Sequence, residues 1–402
     1  MTLMKDKYNI LFYTTSQPIP TVGGVERATI TTASLLKSSG HKVFSIFKGP
    51  RNSKNTVFED ECSLQGSNLV GQIKSFLKDK EIDVIIIQTA FSMVKAFRKA
   101  AEEYPCKIFA VYHFEPIWDK QFVDFGRFYS VYQSHGSIKN LLRLIGFPIL
   151  KIRHLIICYK SFRQGYRLSD RTVLLSNGYA SSFLKYVGDN NDKKIAVIPN
   201  AIPNNIPDYE YQPSKKEKML LIVARLDEVQ KRIGLALEMW KDINPLAVEL
   251  GWSLMIVGDG EARLKYENYI RKHQLKNVTL EGRQEPWDYY KRASIFLMTS
   301  RSEGWGITLL EAQKFGVVPV CYNTFAAAAD VIDDKVSGFL IDEGDKQQYK
   351  DTVLSLMHDA EMRERMALAG IEHVRCFSQR NIGAKWNQLI TNVIDENREV
   401  TL

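Results

Sequence analysis

Apolar residues along this chain fall into short continuous runs, separated by longer stretches in which they recur at helical spacing. "YNILFYTT" (8–15), "HKVFSIF" (41–47), "IDVIIIQT" (82–89), "KIFAVYH" (107–113), "TVLLSN" (172–177) and "IAVIPN" (195–200) are of the first kind. Their β-branched and aromatic content predicts strands. Residues 25–39 and 92–104 predict helices between them. Strands apolar on both faces, alternating with helices, predict a parallel sheet covered on both sides. The polar, proline-bearing stretch 205–218 reads as an interdomain linker. The alternation then restarts, with strands predicted at 219–226, 253–260, 278–282, 294–300, 317–322 and 338–341. Helices are predicted through Trp240, to His273 and over 307–316. The pattern predicts an α/β chain with domains at 1–204 and 205–377. A closing helix, 378–402, follows, with Ser378 as its N-cap.

Length agrees: 402 residues exceed one ordinary core. The five cysteines are odd in number and widely spaced, with no C-x-x-C pair. They point to a reducing compartment, without disulfides or a cysteine zinc site. No run reaches the roughly 18 apolar residues of a membrane span, and the N-terminal apolar stretch is too short for a signal peptide. These features predict a cytoplasmic protein. Charge is uneven. Residues 1–205 carry 28 Lys+Arg and 16 Asp+Glu, against 26 and 30 in the remainder. Segment 120–171 alone has ten basic residues against Asp124 and Asp170. It interleaves Leu, Ile and Phe with those charges. It reads as an interfacial segment for an anionic inner-membrane surface or as an ordinary helix with a basic outer face.

In open parallel sheets, ligands bind beyond the carboxyl ends of the strands, so chemistry is expected in the strand-to-helix loops. "RSEGWG" joins a predicted strand to a predicted helix, with Glu303 in the loop and Glu311 about a turn into the helix. The backbone N–H groups of Gly306, Ile307 and Thr308 then form an anion seat. Carboxylates repel phosphate, so both glutamates should meet hydroxyls attached to it. The same spacing also fits a solvated loop glutamate and a helix-surface glutamate. "VARLDEVQKR" puts Arg225 at a strand end and Lys231 and Arg232 after a short loop, which suits a diphosphate or plain solvated charge. Gly23 and Gly24 precede a helix, either for close backbone approach to a ligand or as a simple helix start. His113 and Glu115 follow a strand, and a lone histidine is structural or catalytic. The acidic clusters 59–61 and 333–334 read as solvated, without the placement of a metal site.

These stretches together resemble a retaining glycosyltransferase of glycosyltransferase family 4, of the bacterial polysaccharide or glycolipid type. The signature is E-x7-E, Glu303 to Glu311, inside "SEGWGITLLEAQKFGVVPV". "GGVER", "VYHFEP", "VIPNAI", "IVGDGE", "YYKRASIFLMTS" and "SGFLI" support it in family order over nearly the whole chain. The resemblance implies a GT-B fold, two Rossmann-like doubly wound parallel-sheet domains facing a central cleft. It implies an N-terminal acceptor domain, a C-terminal donor domain and a final helix packing back on the former. Glu303 would bind the donor sugar and Glu311 the ribose. Arg225 and Lys231 would hold the diphosphate, with Arg232 sharing the role because Lys231 is one residue late for the motif. His113 would sit by the sugar, with Gly23 and Gly24 near the phosphate.

The implied reaction is metal-independent and uses no cofactor. It moves a hexose or N-acetylhexosamine from a nucleotide-sugar, a UDP-sugar over a GDP-sugar, to a lipid-linked saccharide. No nucleic acid is implied. An inactive sugar-nucleotide-binding scaffold and a GT-B phosphorylase are the alternative readings.

Overall fold

The computed structural model describes residues 7–19, 23–52, 57–116, 142–143, 145–203 and 205–399. The chain forms two compact units, residues 1–201 with 380–402, and residues 202–379. The first holds β1 (Asn9–Thr14), β2 (Lys42–Lys48), β3 (Asp60–Leu64), β4 (Val84–Gln88), β5 (Lys107–Tyr112), β6 (Arg171–Leu174) and β7 (Ile195–Val197). The second holds β8 (Met219–Val223), β9 (Ser253–Val257), β10 (Val278–Gly282), β11 (Ile295–Met298), β12 (Val318–Tyr322) and β13 (Phe339–Ile341).

Pairing is parallel in both sheets, in the orders β3-β2-β1-β4-β5-β6-β7 and β10-β9-β8-β11-β12-β13. Each order reverses direction once, between β1 and β4 and between β8 and β11. These are the switch points at which doubly wound sheets open a crevice at their carboxyl ends.

Continuous apolar sequence becomes burial on both sheet faces. Every residue of β4 is buried, and so is every residue of β11 and β12. Fully burying one such Ile or Val side chain contributes about 1.5–3 kcal/mol. The final helix, Gln379–Glu399, sends Ile382, Trp386, Ile390 and Val393 into the core that holds Ile10, Val84 and Val173. Asn387 accepts at Oδ1 and donates at Nδ2, bonding His41 at 3.1 Å and the Ser39 hydroxyl at 2.9 Å.

Four details depart from the sequence expectation. β3 was unpredicted because it is a polar edge strand, a form that discourages pairing with other chains. The helix expected through Trp240 runs on to Glu249, past Pro245. The stretch 205–218 is no free linker. Lys216 is half-buried there and donates to Tyr290 O at 3.0 Å and Phe315 O at 2.7 Å, which docks the stretch onto the second unit. Glu61 of the acidic triplet is buried, not solvated. Arg51 lies 3.3 Å from it, and the Gln17 amide donates to both its oxygens at 3.5 Å. Of the basic segment 120–171, residues 120–141 and 144 lie outside the described residues.

Candidate active site

In the second unit the loops after β8 and β11 flank the switch point and are laced together. Asp227 sets the first loop by accepting from Val229 N at 3.0 Å and Gln230 N at 3.1 Å. Arg225 donates to Asp227 and to the Gln230 side-chain oxygen, both at 3.1 Å, and its side chain stays 65% exposed. Arg232 has a left-handed backbone, φ +49°, just before the helix Ile233–Glu249. Its guanidinium donates to Thr299 O at 3.0 Å, Ser300 O at 3.1 Å and Glu343 at 2.8 Å. The Thr299 hydroxyl answers by donating to the carbonyls of Lys231 and Arg232 at 3.0 Å.

This lacing aims Lys231 at Glu303. Lys231 Nζ lies 2.5 Å from Glu303 Oε1, and the Ser300 hydroxyl donates to the same oxygen at 2.6 Å. The two side chains are only 19% and 11% exposed. At that burial the pair is screened far less than a surface pair, and removing either partner strands the other charge. Ser300-x-x-Glu303 has the spacing of a capping box, yet no helix starts there. The serine serves the carboxylate directly.

The turn then closes on Trp305, buried edge-on against Phe377 at 5.3 Å. Gly306 follows at φ +77°, in the left-handed region, and caps the helix Ile307–Lys314. The first-turn N–H groups of Ile307 and Thr308 therefore have no partner within the helix. Glu311 does not lie on a solvated helix surface. It is 1% exposed, and the Tyr290 hydroxyl donates to its Oε2 at 3.0 Å. Tyr290 itself is stacked on Phe315, 5.7 Å between centroids.

His113 and the two glycines belong to the first unit. His113 directly follows β5 and is buried. Its Nε2 donates to Gln88 Oε1, at the end of the neighbouring β4, at 2.5 Å. That leaves the lone pair on Nδ1, which is buried without a partner among the described residues. Burial pushes the ring down to about 4, so it is neutral near pH 7. Gly23 is extended, φ −167°, and Gly24 opens the helix Gly24–Ser38. A Cβ at Gly24 would meet nothing within 4 Å.

Of the residues picked out from the sequence, Arg225, Lys231, Arg232, Glu303 and Gly306–Thr308 lie on or beside one pair of loops. Sequence reasoning missed Ser300, Thr299, Gln230 and Tyr290, whose spacing carried no recognisable signal apart from the serine's. Among the described residues no group of three or more His, Cys, Asp or Glu is arranged to hold a metal ion.

Residues 22–205 match the family described as Glycosyltransferase Family 4, and residues 208–373 match Glycosyl transferases group 1. The chain is 25% identical over 234 residues to the amylovoran biosynthesis glycosyltransferase AmsD of Erwinia amylovora, covering 56% of this chain and 63% of that one. It is 29% identical over 182 residues to the lipopolysaccharide 1,6-galactosyltransferase of Escherichia coli, covering 43% of this chain and 45% of that one. The matches thus span less than two thirds of these relatives. Among solved structures, Anabaena HepE in complex with UDP-glucose superposes with a TM-score of 0.70 at 16% identity, over 97% of this chain and 100% of that one.

Proposed function

Because the chain belongs to the GT-B glycosyltransferases, with a family 4 first half and a group 1 second half, we propose that it transfers a hexose or N-acetylhexosamine from a nucleotide-sugar to a lipid-linked saccharide, with retention, in surface polysaccharide synthesis. The observation that carries this reading is the Lys231–Glu303 pair, set at the switch point beside exposed Arg225. A nucleotide-sugar brings both groups that this pair can serve, a diphosphate for the ammonium and sugar hydroxyls for the carboxylate.

Arg225 and Lys231 take the diphosphate, and the first turn after Gly306 adds backbone N–H groups. Arg232, already committed to two carbonyls and Glu343, fixes the loops and is not the second phosphate ligand. Glu303 grips sugar hydroxyls, and Glu311, set by Tyr290, takes the ribose. In the transfer, the bond from the anomeric carbon to the diphosphate oxygen breaks. The acceptor oxygen bonds to that carbon on the same face, and its proton passes to the leaving phosphate. In the first unit, neutral His113 has a lone pair on Nδ1 that can accept from a hydroxyl. The fixed cations stabilise charge as it develops on the diphosphate, the largest contribution such a site makes. The reaction is metal-independent, so chelation leaves the rate unchanged. A UDP-sugar is favoured, as the UDP-glucose complex of HepE supports.

The site residues and the donor are tested together. A panel of UDP- and GDP-sugars is screened for hydrolysis or transfer, with Glu303→Ala beside the natural chain. Transfer from one donor, lost in Glu303→Ala, is expected. Full activity in that variant removes Glu303 from the site.

A further inference from the structure

The helix Phe147–Leu168 is held at its C-terminal half only. Phe162 stacks on Phe91 at 4.7 Å, and Gly165 packs so closely that an added Cβ would lie 2.7 Å from Phe91. Tyr166 is buried and donates its hydroxyl to Asn191 O. The preceding part shows a different face. Within its first half Ile149, Ile152, Ile156 and Ile157 recur at helical spacing, and each is 49–74% exposed. Single exposed aliphatics are ordinary, but four isoleucines within about 12 Å of one helix are not.

The charges around the stripe say what covers it. Residues 142–168 contain six Lys and Arg and no Asp or Glu. Lys151, Arg153 and Lys160 of the same helix are exposed. A second copy of this helix would set like charge against like. An acidic lipid headgroup region with acyl chains beneath it matches both properties at once. Among the described residues no helix is long and apolar enough to cross a membrane, so the helix lies along the surface. We infer that the exposed face of Ile149–Ile157 is where the chain docks on an anionic lipid surface. The inference deepens the lipid-linked reading of the acceptor and rests on it.

The test is co-sedimentation of the full chain with vesicles of phosphatidylglycerol and phosphatidylcholine, or of phosphatidylcholine alone. The natural chain is expected to bind the anionic vesicles and to release as salt rises. Ile149→Ser/Ile152→Ser/Ile156→Ser should lower the partition at least about tenfold. The three side chains are exposed, so the variant should melt at an unchanged temperature. Lys151→Gln/Arg153→Gln should reduce the preference for anionic lipid. Equal binding by the triple variant, or no binding by the natural chain, overturns the inference. So does a dimer in light scattering that the triple variant dissolves, which would make the stripe a self-interface. UDP titration separates the readings: a chain that binds UDP but no vesicle loses the docking face and keeps the donor site.

Discussion

At the carboxyl ends of β8 and β11 the side chains are charged and paired, while at the ends of β4 and β5 they are neutral. Both pairs of strands belong to sheets wound in the same order. In one, Lys231, Arg232 and Glu303 share a lattice of ion pairs and carbonyl contacts. In the other, Gln88 and His113 share one neutral hydrogen bond, and burial keeps the imidazole uncharged. The first pair flanks its sheet's switch point, and the second lies one strand beyond it. The loop residues decide whether each place suits an anion or an uncharged hydroxyl. Backbone resemblance between the halves therefore says little about what each one binds.

The largest effect should come from removing charge on the charged side. Lys231→Met leaves Glu303 without its ammonium and the diphosphate without one cation. Turnover should fall about 10²–10³-fold, the loss typical of one transition-state donor. Circular dichroism and titration of UDP accompany the kinetics, since an unfolded variant would imitate the result. A folded Lys231→Met that keeps its turnover would break the contrast between the two sites.

The neutral side is read by acid. The folded His113 is pushed down to about 4 from its ordinary value, so between those two pH values the unfolded chain binds a proton that the folded chain refuses. Stability from this group is therefore intact above about pH 6.5 and falls as pH drops toward 4, by about 3 kcal/mol in total. Urea unfolding of the natural chain and His113→Gln across this range measures it, through the probe reporting the first unit. The variant should show the shallower loss. Parallel slopes would mean that His113 is protonated in the fold, and the neutral description of that site would fail.

Tyr290→Phe makes a smaller change inside the charged unit. It deletes the hydroxyl donated to buried Glu311 and leaves the ring stacked on Phe315. A hydrogen bond to a charged group is worth about 1.5–3 kcal/mol. If Glu311 holds the ribose, UDP affinity should drop about tenfold or more, while binding of pyrophosphate stays level. Equal losses for both ligands would assign Tyr290 to the fold alone.

How much of this was legible in the sequence depended on distance along the chain. Both sheets were visible because each buried strand is written in adjacent residues, such as "VIIIQ" at Val84–Gln88. β3 escaped because an edge strand needs only a few apolar positions. The spacing of Glu303 and Glu311 drew attention to the loop after β11, and Lys231 and Arg232 followed by type. What the charges do to one another was not legible. Arg232 reaches Thr299 across 67 residues and Tyr290 reaches Glu311 across 21, through pairings that only the folded sheet creates. Burial of Glu311 and docking of Lys216 were hidden for the same reason.

The smallest effects compare the two glycine loops. Gly306 sits at φ +77°, and an added Cβ would lie 3.0 Å from Leu309 Cδ1. Gly306→Ala should cost about 1–2 kcal/mol, since a side chain there must adopt the left-handed backbone. Gly24 begins a helix, and nothing lies within 4 Å of where its Cβ would point. Gly24→Ala should leave stability level or raise it by about 0.4–1 kcal/mol, because alanine restricts the unfolded chain. The two variants then separate two uses of glycine. Thermal melting reports the backbone requirement at Gly306. Transfer kinetics report the open space at Gly24, where a stable variant with a raised KM means that a ligand approaches the backbone. A Gly24→Ala chain that is both stable and fully active would leave that glycine a plain helix start.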